Sequence, residues 1–73
     1  MESVLSILEE LLGLLDKFPF VQLIGTDNGL EYERARFLCR ELQTIDPDTY
    51  AVFDVDGSDE ELMHSVSDFF ANL

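Results

Sequence analysis

Basic residues are scarce in this chain of 73 amino acids. Four Lys and Arg stand against 16 Asp and Glu, a net charge of −12. Such a balance opposes binding to phosphate backbones and to anionic membrane surfaces, both of which attract Lys and Arg. Cysteine is scarcer still: Cys39 stands alone, so neither an internal disulfide nor a cysteine-rich zinc site can form. Long apolar runs are also missing. Glu9, Glu10 and Asp16 interrupt the leucine-rich N-terminal segment, and no stretch reaches the roughly 18–20 residues of a membrane span. No basic segment precedes the first apolar stretch, so a signal peptide is not expected. A cytoplasmic or other soluble, reducing compartment is the expectation.

What the chain does have is apolar mass. Hydrophobic residues make up 47% and aromatics 11%, which excludes a disordered acidic tail. The length suits one small domain, residues 1–73, near the lower limit of what one core stabilises.

Periodicity organises the chain. Residues 3–18 read as a helix with an apolar half formed by Val4, Leu5, Ile7, Leu8, Leu11, Leu12, Leu14, Leu15 and Phe18. Ser3 is its expected N-cap and Pro19 its expected stop. So wide an arc has room for a core face and a partner face. Phe20–Ile24, β-branched and aromatic, reads as a buried strand, and Gly25–Gly29 as the turn after it. Residues 30–43 read as a second helix with Ala35, Leu38, Cys39 and Leu42 on one face and Tyr32 and Ile45 at its borders. Tyr50–Val55 reads as a second strand. Ser58 and Glu61 have the spacing of a capping box for a third helix, whose apolar face carries Leu62, Met63, Val66, Phe69, Phe70 and Leu73. The expected fold class is therefore α/β in the order α-β-α-β-α, with two parallel strands joined by a right-handed helical crossover.

Few residues point to chemistry. Arg34, Arg36 and Arg40 gather on the second helix; they read either as neutralised by Glu31, Glu33 and Glu41 or as a patch for an anion or an acidic partner. Asp54, Asp56, Asp59, Glu60 and Glu61 could attract a divalent cation, but Asp59 and Ser65 occupy the positions where an EF-hand needs Gly and Glu. Gly25–Gly29 lacks the lysine and the glycine spacing of a phosphate loop. Cys39 lies inside a helix on its apolar face, the place of a structural thiol, and His64 has no triad or ligand set around it.

Two resemblances follow from particular strings. Ala51-Val52-Phe53-Asp54-Val55-Asp56-Gly57-Ser58 resembles the first motif of the haloacid-dehalogenase phosphatases. That likeness implies a nucleophilic Asp54, a general acid Asp56 and a nearby Mg²⁺. Only fifteen residues follow Ser58, too few to complete that family's site. More of the chain resembles the first two-thirds of a monothiol glutaredoxin: Leu8-Glu9-Glu10-Leu11-Leu12, then Phe20–Ile24 running into Gly25-Thr26, then Tyr50–Val55, then Ser58-Asp59-Glu60-Glu61. The family's active-site Cys-Gly-Phe-Ser falls near Tyr32-Glu33-Arg34-Ala35, so its nucleophile is missing. The resemblance implies an incomplete, redox-inactive thioredoxin-like sheet.

Together these readings predict a non-catalytic protein–protein interaction or assembly module with no cofactor and no metal. It would pair with a protein partner, or with itself as a homodimer, through a strand edge at Phe20, Gln22 and Ile24, through Leu5, Leu8, Leu12 and Leu15 of the first helix, or through Arg36 and Arg40. The alternatives are redox or iron–sulfur chemistry at Cys39 and a Mg²⁺-dependent phosphatase fragment. The acidity itself would also suit a high-salt environment.

Overall fold

The structure, a computed structural model, describes residues 3–24 and 28–72, with side chains described at 3–17 and 31–72. It is a three-helix bundle. Helix α1 spans Val4–Ile24, α2 spans Asn28–Ile45 and α3 spans Asp59–Ala71. Each helix packs on the other two. The molecule measures 33 × 22 × 21 Å, and its long dimension matches the rise of α1 at about 1.5 Å per residue.

Local chemistry accounts for the helix ends. The Ser6 amide donates to Ser3 Oγ at 3.2 Å, which caps α1 as the sequence predicts. Ser58 and Glu61 form the expected capping box at α3: the Glu61 amide donates to Ser58 Oγ at 3.1 Å, and the Ser58 amide donates to Glu61 Oε1 at 2.9 Å. At the other end of α3, the Asn72 side-chain amide closes on the Asp68 carbonyl at 2.8 Å.

The core is built from one stripe of each helix. Ile7 and Leu11 come from α1, Tyr32, Ala35, Leu38, Cys39 and Leu42 from α2, and Leu62, Met63 and Val66 from α3. Fully burying one such aliphatic side chain contributes about 1.5–3 kcal/mol. Among the described residues no polar or charged side chain is buried.

The α/β architecture is overturned: among the described residues there is no strand and no sheet. The thioredoxin-like and glutaredoxin-like fold fails with it. Two segments account for the difference. Tyr50–Val55 is a chain of turns within the connection between α2 and α3. Tyr50 and Phe53 are buried while Ala51, Val52 and Asp54 are exposed. That is a three-residue spacing, whereas a strand would alternate its faces every two residues. Phe20–Ile24 forms the last turns of α1, which continues past Pro19 instead of stopping there. A strand at 20–24 would need a second strand to satisfy its backbone groups, and the only candidate is folded into turns. In a helix the amides of 20–24 donate to carbonyls of the preceding turn, so no second strand is needed for them. The strand edge expected at Phe20, Gln22 and Ile24 therefore does not exist; the side chains of these three lie outside the described residues. The turn expected at Gly25–Gly29 falls largely outside them too, and Asn28 and Gly29 open α2.

Thirteen residues, 46–58, connect α2 to α3, a long link for a helical bundle. Side chains of both helices strap their backbone down. The Gln43 amide donates to the carbonyls of Tyr50 at 3.0 Å and Phe53 at 3.2 Å. Ser65 Oγ accepts the Asp54 amide at 3.0 Å and donates to the Leu62 carbonyl at 2.6 Å. Side chains add to this. The Tyr50 ring stacks on Phe53 at 5.7 Å, and Phe69 meets Phe53 edge-on at 5.1 Å.

Candidate interaction surface

Helix α1 carries more leucine than its core face uses. Ile7 and Leu11 are buried, with Val4 and Leu14 half-buried beside them. About 100° round the helix lies a second stripe, Leu5, Leu8, Leu12 and Leu15, at spacings of three, four and three. Leu5 is 66% exposed and Leu12 45%. Leu8 and Leu15 are half-buried against the core. The stripe is thus an apolar seam that grows out of the core onto the surface.

The seam has the form of a heptad repeat. Leu5-x-x-Leu8-Glu9 is followed seven residues later by Leu12-x-x-Leu15-Asp16. Leucines take the two seam positions of each heptad and a carboxylate takes the next. Glu9 and Asp16 are exposed, so they form an acidic rim along the solvent side of the seam. All four leucines were singled out by the sequence reading. The acidic edge of the helix was legible too; the seven-residue spacing that sets Glu9 and Asp16 beside the leucines was not drawn from it.

The arginines of α2 are turned toward other elements. Arg34 reaches Glu10 of α1, with Nε to Oε2 at 2.5 Å and Nη2 to Oε1 at 2.9 Å, and its guanidinium lies 5.3 Å from the centre of the Phe37 ring. Arg36 gathers the start of α3. Its Nη1 donates to the Val55 carbonyl and, at 3.2 Å, to the Gly57 carbonyl, while Nη2 meets Asp59 Oδ1 at 2.8 Å. Arg40 stands 3.8 Å from Asp56 on the exposed surface. Carboxylates of three neighbouring segments thus meet the three arginines, and Arg36 serves as a structural clamp.

The candidate chemical groups are placed as follows. Cys39 is fully buried, and burial pushes its thiol up to about 12 against a smaller opposing effect of Arg36. At neutral pH it is a protonated, inaccessible thiol. Asp54 and Asp56 lie in turns, so the phosphatase-like string has no strand end on which to present a nucleophile. The Asp54 carboxylate leans over Gly57, whose missing Cβ would lie 2.6 Å from Asp54 Oδ2. Among the described residues no three His, Cys, Asp or Glu side chains converge as a metal site. His64 faces Glu60 at 3.9 Å on the exposed side of α3. Val52, 60% exposed, stands between two open grooves that the connection forms with α3, lined in part by Asp54, Glu61, His64 and Asp68. No helix among the described residues is long and apolar enough to cross a membrane.

Comparison with known proteins gives no match, whether to a family model, to a curated sequence or to a solved structure.

Proposed function

We propose that this chain is a non-catalytic protein–protein interaction module, and that its docking surface is the outer leucine seam of α1, which takes an apolar helix of a protein partner. The carrying observation is the exposure of Leu5 and Leu12 in register with half-buried Leu8 and Leu15. A monomer gains little from leucines held in water, whereas a helix laid along the seam removes them from it at about 25 cal/mol per Å². Heptad spacing suits the occupant, because a facing helix places its knobs between leucines spaced this way. The burial and raised pKa of Cys39 weigh against thiol chemistry. A reducing compartment such as the cytoplasm suits a lone unpaired thiol.

The test is an NMR titration with a synthetic three-heptad peptide that has leucine at its seam positions and glutamine at its rims. Amide shifts should move at residues 5–16 and stay fixed around Val52. Shifts confined to another face would overturn the proposal, as would none at millimolar concentration whatever charge the peptide carries at its rims.

A further inference from the structure

We infer that the seam selects a heterotypic partner, an amphipathic helix whose leucine stripe is bordered by Lys or Arg, and that it rejects a second copy of this chain. The inference rests on the seam being the docking surface, and it concerns what the seam admits.

In a pair of helices the two positions flanking the seam choose the partner by charge. On one flank of this seam stand Glu9 and Asp16, both exposed. The other flank consists of Val4 and Leu11, which are turned into the bundle, Leu11 with no exposure at all. Only one rim therefore faces a partner, and it is acidic in both heptads.

A second copy meets this arrangement badly in either direction. Paired antiparallel, the two acidic rims face each other and bring four carboxylates together along one edge. Paired parallel, each acidic rim must reach its counterpart's opposite flank, which is Val4 and the buried Leu11. The net charge of −12 on each chain adds a repulsion that acts before contact. A helix with Lys or Arg beside its leucines turns the repulsion at the rim into attraction, and the long stems of those residues also cover apolar surface.

The experiment uses the full chain and two versions of the three-heptad peptide, one with lysine and one with glutamate at the rim positions. It is run at about 0.15 M salt, so that attraction by distant charges is screened. The lysine-rimmed peptide should bind at least tenfold more tightly than the glutamate-rimmed one. Leu5→Glu/Leu12→Glu should lose the binding while circular dichroism shows the bundle intact. Glu9→Lys/Asp16→Lys should invert the preference although that chain keeps a large net negative charge. Inversion separates a local rim from general attraction to an acidic protein. A preference that survives the swap, or binding indifferent to the leucine substitutions, would refute the inference. Sedimentation that shows a dimer of the parent chain abolished by Leu5→Glu/Leu12→Glu would refute it as well, while leaving the seam as the docking surface. If the glutamine-rimmed peptide binds the seam and the rim charge makes no difference, only the partner assignment falls. If none of the three peptides binds, both proposals fall.

Discussion

Arg34 grips Glu10 with two nitrogens at once, Nε at 2.5 Å and Nη2 at 2.9 Å, and so joins α2 to α1. The hydrogen bonds from Arg34 hold the Glu10 carboxyl below its ordinary value of 4.5; desolvation opposes them, and the charge of Arg34 adds a lesser pull in their direction. The two side chains are 42% and 37% exposed, so solvent screens the pair. Glu10→Gln should therefore cost no more than about 1 kcal/mol at neutral pH. The sign of its pH dependence is fixed. A carboxyl whose pKa is lowered on folding stabilises above its unfolded value and loses that contribution as pH falls through the folded value. Urea unfolding of parent and variant should differ at pH 7 and converge as acid is added below 4.5. A difference that persisted in acid would show that the pair acts through packing instead of charge.

Arg36 has a larger structural task than Arg34, because it satisfies two backbone carbonyls and a carboxylate at the start of α3. Arg36→Met should cost about 2 kcal/mol, the scale of lost hydrogen bonds to a charged group. Arg36→Lys should recover only part of this, since an ammonium does not reproduce the flat fork that reaches all three acceptors. Arg40, 3.8 Å from an Asp56 that is 90% exposed, provides the contrast: Arg40→Met should stay within about 0.5 kcal/mol of the parent. Equal losses for Arg36→Met and Arg40→Met in denaturant titrations would remove the clamp from this account.

These two arginines mark the boundary of what the sequence made legible. The core face of α2 could be read from spacing alone, and Ala35, Leu38, Cys39 and Leu42 are all buried. The box at Ser58 and Glu61 is local too, and it forms. Residues 50–55 were misread because their fate is decided at a distance. Gln43, Ser65 and Arg36 hold this segment from both helices through hydrogen bonds that span 7 to 19 residues. No local pattern announces such partners. The string Tyr-Ala-Val-Phe-Asp-Val has the composition of a strand, and tertiary contacts override that preference. The end of α1 was lost for a related reason: Pro19 looked like a stop, yet with no second strand to pair with, Phe20–Ile24 continues the helix. The four seam leucines could be named from the sequence. That Leu5 and Leu12 stay in water while Leu8 and Leu15 reach the core required the packed bundle.

Gly13 offers a gain in stability. It lies in the interior of α1, and a Cβ built on it meets nothing within 4 Å. Glycine in a helix interior costs roughly 0.5–1 kcal/mol relative to alanine, through the backbone freedom it loses on folding. Gly13→Ala should therefore raise the unfolding free energy by about that amount without altering peptide binding at the seam, since Gly13 falls beyond Glu9 on the helix circumference. A neutral or destabilising result in the same denaturant titrations would mean that the space beside Gly13 is used by something other than solvent.

Cys39 titrates in the opposite sense from Glu10. Burial raises its thiol from an ordinary value of 9.0 to about 12, so the folded chain holds a proton that the unfolded chain gives up sooner. Stability from this group is complete below 9 and falls as pH rises from 9 toward 12. Tyr32 adds to the same alkaline slope, its phenol raised by burial and by the charges of Asp59 and Glu60. Cys39→Ala removes only the thiol's share. The alkaline loss of stability between neutral pH and about pH 10 should be shallower in the variant, though the variant starts lower because a buried sulfur is missing. Alkylation supplies an independent measure. With the thiol wholly inside, iodoacetamide reacts through opened molecules, so its rate on the parent chain should rise with urea in step with the unfolded fraction. Fast labelling of the native chain at neutral pH, with no dependence on urea, would place the thiol at the surface and reopen redox chemistry as its role.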